Sequence, residues 1–285
     1  MIKGIILDVD GVIIGDKRGV NTPHPHKAVM AKLAKVGKWG GIPIVLCTAR
    51  PAFGLNYIVQ NAHLSNPHIA DGGALLVDEK GKVYGKKAID KQVAKSIVKT
   101  CIDNNIYVEV YTATDYYIQS NQDGSDALAH SKIMQRKQGL VDNLVSFCDN
   151  NEIIKLAFTV KDNTKIDYGN KLMQEYMSEI TLIWTNHPPM LPIQWGIVTA
   201  PEISKEKAFL NITNMLNIPL QNWLGIGDTK SDWAFMQHCE YVGAMGNATD
   251  ELKELVNSKS AKGYIGKSVD ENGIIDILDW GLKQS

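Results

Sequence analysis

The sequence predicts an α/β protein in which a parallel β-sheet carries helices on both faces and a second, α+β block is inserted into the chain. Two observations favour this fold class. Short apolar segments alternate with amphipathic helical segments at both ends of the chain. The strands predicted there are apolar along almost their whole length, which is typical of strands that are covered on both faces of a parallel sheet.

Composition limits the classes of function. The 285 residues are 44% hydrophobic and 21% charged, which is enough apolar material for a globular core. Thirty basic and 31 acidic residues leave a net charge of -1, so no overall field attracts nucleic acid or a membrane. No apolar run approaches the roughly 20 residues of a membrane span. We therefore expect a cytoplasmic protein that acts on a small molecule.

The first 85 residues predict alternating strands and helices. The first strand is apolar and β-branched and ends at an Asp-Gly turn, and the first helix has apolar residues at helical spacing between lysines. A glycine pair precedes the second strand, and a glycine turn joins the hairpin. In order, the elements are a strand at 2–9, a helix at 26–36, a strand at 42–47 and a hairpin at 74–84. This is the first part of the predicted core domain, residues 1–85.

The middle block, residues 86–198, also alternates helices and strands, and we expect it to be an inserted domain. Helices are predicted at 90–104, 126–137 and 165–178, and strands at 107–111, 116–119, 153–160 and 180–184. Four prolines then fall within 14 positions, at Pro188, Pro189, Pro192 and Pro201. Such clustering is typical of a stiff connection between domains, so the boundary is placed there.

Residues 199–285 return to the order of the first segment. Helices are predicted at 205–216, 231–238 and 250–257, and strands at 223–226 and 241–244. The simplest topology joins both chain ends, 1–85 and 199–285, in one core domain. Its three layers, helices on each side of a parallel sheet, make it Rossmann-like.

Four carboxylates follow predicted strands of this sheet. Asp8 and Asp10 stand at positions i and i+2 at the end of the first strand, so the pleat sends both carboxylates the same way. Asp228 follows the strand at 223–226, and Asp232 comes one helical turn later. The carboxyl ends of parallel strands meet at one edge of a sheet, where ligands bind in such folds. Carboxylates gathered there form an all-oxygen site suited to Mg²⁺.

Two further residues narrow the chemistry. Thr48 ends the second strand with a hydroxyl, and Lys205 opens a helix with an ammonium group. A carboxylate nucleophile, Mg²⁺, a hydroxyl and an ammonium group are together what phosphoryl transfer through an aspartyl-phosphate requires. The metal and the lysine offset the repulsion between an attacking carboxylate and an anionic phosphate.

These residues lie in four ordered segments that resemble the motifs of the haloacid dehalogenase superfamily of Mg²⁺-dependent phosphohydrolases. The segments are LDVDGV at 7–12, VLCTAR at 45–50, SKEKAF around Lys205 and GIGDTKSDWAFM at 225–236. Two further segments, DGGALLVDEKGKV and GAMGNATDELKELV, are similar to its Cof-like subfamily. In that subfamily an insert at this place is a large α/β cap domain. Ser231 and Val12 stand where the family often has Asn and Thr, and neither replacement removes a charged group.

The resemblance implies a role for each residue. Asp8 would be the nucleophile and Asp10 the general acid and then the general base. Thr48 and Lys205 would bind the substrate phosphate, Lys205 fitting the spacing better than Lys207. Mg²⁺ would be held by Asp8, the backbone carbonyl of Asp10 and Asp228, with Asp232 in support.

The implied function is hydrolysis of a small phosphorylated metabolite, with a sugar phosphate first among the candidates. A phosphomutase or phosphotransferase using the same intermediate is an alternative that the motifs do not separate. A non-catalytic phosphate-binding module is a second alternative, although a receiver-like module needs its acceptor Asp on a later strand, where this chain has Cys47-Thr48. The sequence gives no indication of the oligomeric state.

Overall fold

The computed structural model describes residues 1–284 and divides the chain into two compact units. The first unit contains residues 1–50, 55–84 and the segment from 204 onward, and the second contains residues 51–54 and 85–203. The sequence placed the corresponding boundaries at 85/86 and 198/199. Residue 285, the last of the predicted segment 199–285, lies outside the described residues.

The first unit holds the two chain ends. Its strands are β1 Gly4–Leu7, β2 Ile44–Leu46, β3 His68–Ala70, β4 Leu75–Val77, β5 Val83–Lys86 (whose last two residues belong to the second unit), β12 Trp223–Gly227, β13 Tyr241–Ala244 and β14 Gly263–Ile265. Its helices are α1 Lys27–Ala34, α2 Asn56–Asn61, α7 Lys205–Met215, α8 Trp233–Met236, α9 Asp250–Ser258 and α10 Ile274–Leu282. A π-helical turn, Lys35–Trp39, continues α1.

The main sheet of this unit has the strand order β14-β13-β12-β1-β2, and each neighbouring pair is parallel. One face packs on α7, α8 and α9 through a cluster that includes Ile6, Phe209 and Phe235. On the other face, Gly243 of β13 and Gly281 of α10 bring strand and helix into close contact. A parallel sheet between two helical layers is therefore confirmed. β3, β4 and β5 form a separate three-stranded sheet.

The second unit is an α+β block. Its strands are β6 Val108–Tyr111, β7 Tyr116–Gln119, β8 Gly139–Val141, β9 Lys155–Val160, β10 Thr181–Asn186 and β11 Gln194–Thr199. Its helices are α3 Lys91–Asp103, α4 Ser125–Met134, α5 Leu144–Asn150 and α6 Ile166–Met173. The strands form one sheet in the order β10-β11-β9-β6-β7-β8, and every neighbouring pair is antiparallel except β7 with β8. Its core joins alternate sheet residues such as Val110 and Phe158 to the buried faces of α3 and α5.

The proline-rich stretch differs from its prediction as a connecting segment. Pro188–Met190 is a 3-10 turn, and β11 follows between Pro192 and Pro201. β11 pairs with β10 on one side and β9 on the other, so it lies inside the sheet. Prolines flank this strand and do not interrupt it, because proline cannot donate the hydrogen bond that a central strand needs. None of the helices in residues 1–284 combines the length and the apolar character needed to cross a membrane.

Candidate active site

Asp8 and Asp10 follow β1 at the carboxyl edge of the parallel sheet. The Asp8 N–H still donates to the carbonyl of Ile226 on β12 at 3.1 Å, so the sheet fixes the backbone of Asp8. Gly11 then turns the chain with φ +74°. A Cβ on residue 11 would lie 1.9 Å from Asp228 Oδ2, so only glycine leaves room for that carboxylate.

Asp228 follows β12, and Asp232 supports the turn between β12 and α8. Asp232 is fully buried, and its Oδ2 accepts hydrogen bonds from the backbone N–H groups of Asp228 and Thr229 at 3.2 and 3.1 Å. The hydroxyl of Thr229 lies 3.1 Å from the same oxygen. The Thr229 side chain also accepts the backbone N–H of Asp232, which together with the Thr229 N–H bond to Asp232 makes a capping box. Asp232 thus orients the loop that carries Asp228.

Lys205 joins two of these carboxylates. Lys205 is the first residue of α7, and Ser204 caps that helix by accepting from the Lys207 N–H at 3.1 Å. The Lys205 Nζ donates to Asp8 Oδ1 at 2.9 Å and to Asp232 Oδ1 at 2.8 Å. The structure therefore brings Lys205 into direct contact with Asp8 and Asp232, at the sheet edge where the sequence predicted that the carboxylates meet.

The electrostatics of this group reflect burial first and the neighbouring negative charges second. Burial raises the pKa of Asp8 to about 7, although Lys205 opposes the shift and Asp232 and Asp10 add to it. Burial also raises the pKa of Asp228 to about 7, again with a contribution from Asp232. For Lys205, burial lowers the pKa, but the carboxylates of Asp8 and Asp232 outweigh burial and raise it above its ordinary value. The lysine remains an ammonium group and does not neutralise all the acids around it.

The acidic cluster fits a small divalent cation. One oxygen each of Asp8, Asp228 and Asp232 lie within 4.8 Å of one another. Both oxygens of Asp232 accept hydrogen bonds, one from Lys205 and the other from the turn. Asp8 and Asp228 instead line a cavity of about 470 Å³. Two carboxylates in a partly buried site, where the acids outnumber the single lysine that contacts them, are the donors that Mg²⁺ prefers.

Asp10 and Thr48 occupy different surroundings from this cluster. The Asp10 carboxylate lines the same cavity but is bound by the guanidinium of Arg50, with Nη2 2.6 Å from Oδ1. Thr48 is buried at the end of β2, and its Oγ1 accepts the Arg50 N–H at 3.1 Å. Thr48 is not among the residues that line the cavity. Arg50 therefore connects the segments that carry Asp10 and Thr48.

Sequence reasoning missed several residues of the cavity. Asn247 bridges two loops: its Nδ2 donates to the Gly11 carbonyl at 2.9 Å, and its Oδ1 accepts the Val269 N–H at 2.8 Å. Asn247 lies in the segment GAMGNATDELKELV, whose resemblance to the Cof-like subfamily implied no role for a single residue. The other missed lining residues are Gly15, Asp16, Thr229, Ser268, Val269 and Asp270. Thr229 lies in the recognised segment 225–236, and Ser268 begins the capping box that ends at Glu271.

Several bacterial proteins and solved structures are similar to this chain along almost its whole length. The 5-amino-6-(5-phospho-D-ribitylamino)uracil phosphatase YwtE of Bacillus subtilis is 26% identical, over 97% of this chain and 97% of that protein. Phosphatase YwpJ of the same organism is 23% identical, over 97% and 98%. The crystal structure of TM0651 from Thermotoga maritima has a TM-score of 0.83 at 16% identity, over 98% of this chain and 97% of that one, which shows a shared fold.

A family model described as haloacid dehalogenase-like hydrolase matches residues 5–278. The resemblance that the four motifs predicted is thereby confirmed, and with it the prediction of an enzyme. The match covers all four motif segments and the inserted block. The chain belongs to the family of haloacid dehalogenase-like hydrolases.

Proposed function

We propose that the protein is a Mg²⁺-dependent phosphatase that hydrolyses a small phosphomonoester, such as a sugar phosphate, through an aspartyl-phosphate. The observation that carries the proposal is the contact of Lys205 with Asp8 beside Asp228 at one sheet edge. This arrangement supplies a carboxylate nucleophile and positive charge for an anionic phosphate. The names of YwtE and YwpJ support a phosphatase, and that of YwtE describes a substrate with a phosphorylated ribityl chain.

In the first step, a carboxylate oxygen of Asp8 attacks phosphorus. The Asp8 O–P bond forms while the bond between phosphorus and the leaving oxygen breaks, and Asp10 gives its proton to that oxygen. In the second step, water attacks phosphorus and Asp10 accepts a proton from it. The aspartyl-phosphate bond then breaks, which regenerates Asp8 and releases inorganic phosphate.

The remaining predicted residues bind charge. Lys205 and Thr48 hold the phosphate oxygens, and the Thr48 hydroxyl proton is available because its oxygen accepts the Arg50 N–H. Asp8, Asp228 and the backbone carbonyl of Asp10 hold Mg²⁺, and Asp232 supports them through the bonds described above. Bound Mg²⁺ supplies Lewis-acid stabilisation of the charge that develops on the phosphoryl group.

The second unit acts in this proposal as the cap that selects the substrate. Its place in the chain, between the segment with Thr48 and the segment with Lys205, supports this role, because the family resemblance places a cap there. The expected partner is a small phosphorylated metabolite, which a closing cap shields from bulk water.

The test is phosphate release from p-nitrophenyl phosphate and a panel of sugar and nucleotide phosphates, with Mg²⁺ or with EDTA. Asp8→Asn should lower turnover by a factor of at least about 10³, because an amide cannot form the acyl phosphate. Asp279→Asn is the matched control, since Asp279 pairs with Lys32 on the helical face of the same unit. Full turnover by Asp8→Asn would refute the mechanism. An isomeric sugar phosphate in place of inorganic phosphate would identify a mutase.

A further inference from the structure

Arg50 and Asp10 form a two-pronged ion pair. The Arg50 Nε lies 3.1 Å from Asp10 Oδ1 and 2.9 Å from Oδ2, and Nη2 lies 2.6 Å from Oδ1. Such a pair fixes the plane of a carboxylate as well as its position, which a point charge does not. The Asp10 side chain is otherwise 54% exposed, so this contact is what orients it.

Arg50 is itself held from two strand ends. Its N–H donates to Thr48 Oγ1 at 3.1 Å, at the end of β2. Its carbonyl accepts the N–H of Asp71 at 2.8 Å, directly after β3. The Arg50 side chain is 31% exposed. A side chain anchored at its backbone and largely packed loses little freedom when it binds, so it is a firm support for a partner.

The two oxygens of Asp10 are not equivalent. Oδ1 accepts from two nitrogens of Arg50, whereas Oδ2 accepts only from Nε among the described residues. Oδ2 therefore keeps more of its lone-pair capacity for another partner. A carboxyl group that transfers a proton must present one oxygen to the reacting atom within hydrogen-bond distance.

We propose that Arg50 is a positioning residue that orients Asp10 so that its Oδ2 faces the leaving oxygen of the substrate. This inference rests on the proposed function, because it assigns Asp10 the proton transfer described there. Binding of the phosphate is not assigned to Arg50 in this arrangement, because its Nε and Nη2 donate to Asp10. Lys205 and Thr48 carry that task.

The test compares two leaving groups. An alkyl phosphate such as a hexose 6-phosphate needs its leaving oxygen protonated, whereas p-nitrophenolate leaves readily without a proton. The ratio kcat/KM reports the steps up to departure of the leaving group, so it includes this proton transfer and excludes the later hydrolysis of the aspartyl-phosphate. Arg50→Gln should lower kcat/KM for the hexose phosphate by about 10–100-fold and for p-nitrophenyl phosphate by less than about threefold. The kcat/KM of Arg50→Lys for the hexose phosphate should lie between those of the wild type and Arg50→Gln. Lysine keeps the positive charge but cannot make the two-pronged contact of a guanidinium.

Controls separate positioning from folding. Lys32→Gln removes another ion pair of the same unit and should leave both ratios unchanged. Thermal unfolding tests whether Arg50→Gln is folded, and added guanidinium should restore part of the hexose phosphate rate to Arg50→Ala. Restoration of that rate alone is not expected of a residue that merely stabilises the fold.

Three results would overturn the inference. Equal losses on both substrates, with weaker inhibition by inorganic phosphate, would make Arg50 a phosphate ligand. No loss on either substrate would make the ion pair structural only. A larger loss on the aryl substrate would contradict the assigned proton transfer. Failure of the proposed function is distinguishable, because then the wild type would lack Mg²⁺-dependent turnover or Asp8→Asn would retain it.

Discussion

The carboxylate of Asp228 lowers the stability of the folded protein and is available to bind a cation. Burial and the nearby Asp232 raise its pKa to about 7, so its carboxylate is unfavourable in the folded chain near neutral pH. No side chain of the described residues donates a hydrogen bond to it, whereas Asp8 and Asp232 share Lys205. A carboxylate whose charge is disfavoured in the folded protein is expected at a site where that charge is needed to bind a ligand.

We predict that Asp228→Asn raises the melting temperature of the metal-free protein, because the amide removes a buried negative charge at nearly constant volume. The same substitution should abolish the rise in melting temperature that Mg²⁺ gives to the wild type, since a ligand that binds only the folded state stabilises it. Thermal unfolding with EDTA and with a Mg²⁺ titration measures both effects. An unchanged Mg²⁺ response in the variant would contradict the assigned metal site.

His68 is a buried histidine whose protonated form is unfavourable in the folded protein. Its Nδ1 accepts the Leu46 N–H, and its Nε2 lies 3.2 Å from the Leu64 carbonyl, so the network suits the neutral ring with its proton on Nε2. Burial lowers its pKa from 6.5 to about 4. Between these values the unfolded chain binds the proton and the folded chain does not, so acidification favours unfolding.

We therefore predict that His68 contributes a loss of stability of up to about 1.4 kcal/mol per pH unit as the pH falls from 6.5 towards 4. Urea unfolding at several pH values measures the slope, and His68→Asn, which does not titrate, should flatten it. His63→Asn is the control, because His63 is exposed and its left-handed backbone suits asparagine. Equal slopes in wild type and His68→Asn would disprove the assignment.

At the scale of elements, the sequence predicted best those strands of the parallel sheet that are buried on both faces. β1, β12 and β13 are short apolar runs that end at turns, so their existence and their shared edge followed from pattern alone. That shared edge in turn predicted that the carboxylates of Asp8, Asp228 and Asp232 lie near one another. The pairing of Arg50 with Asp10 did not follow, because the reach of a long side chain is set by loop conformation and not by spacing.

Elements with weak local patterns were missed. β8 has only three residues and is half exposed, and β14 begins with glycine, so neither has a periodicity to detect. β11 was not predicted, because the flanking prolines suggested a connecting segment and because Gly196 stands in the centre of the strand. Gly196 lies opposite Phe158 of β9, and a Cβ there would meet the Phe158 ring at 2.5 Å. Tertiary packing, which no local pattern encodes, is the reason for that glycine.

Gly196→Ala should therefore destabilise the second unit by about 1–3 kcal/mol, because the added methyl group must displace a packed ring. Chemical unfolding followed by tryptophan fluorescence measures the change. Gly124→Ala is the matched control, since that glycine precedes α4 with φ -118° and has open space around its Cβ direction. A neutral effect of Gly196→Ala would show that the Phe158 ring makes room for the methyl group without loss of stability.

At the scale of the whole molecule, the chain contains two separately assembled cores. The apolar cluster of the second unit draws its members from residues 89–198, and its sheet closes within that unit. The first unit is assembled from both chain ends, with β1 pairing with β12 across more than two hundred residues. Contacts of such sequence separation form slowly, whereas those of the second unit are more local.

We predict that residues 85–203, expressed alone, fold cooperatively, because they contain every strand of the six-stranded sheet and the helices that cover one face. The fragment should be less stable than the same unit in the full chain, since it lacks Phe53, whose ring stacks on Tyr116 at 5.7 Å and lies 5.0 Å from the Arg136 guanidinium. Circular dichroism and urea unfolding measure both properties, with Phe53→Ala in the full chain as the matched comparison. Because the fragment excludes every proposed catalytic residue, it should release no phosphate. A fragment that stays unfolded would show that the second unit needs the first as a template.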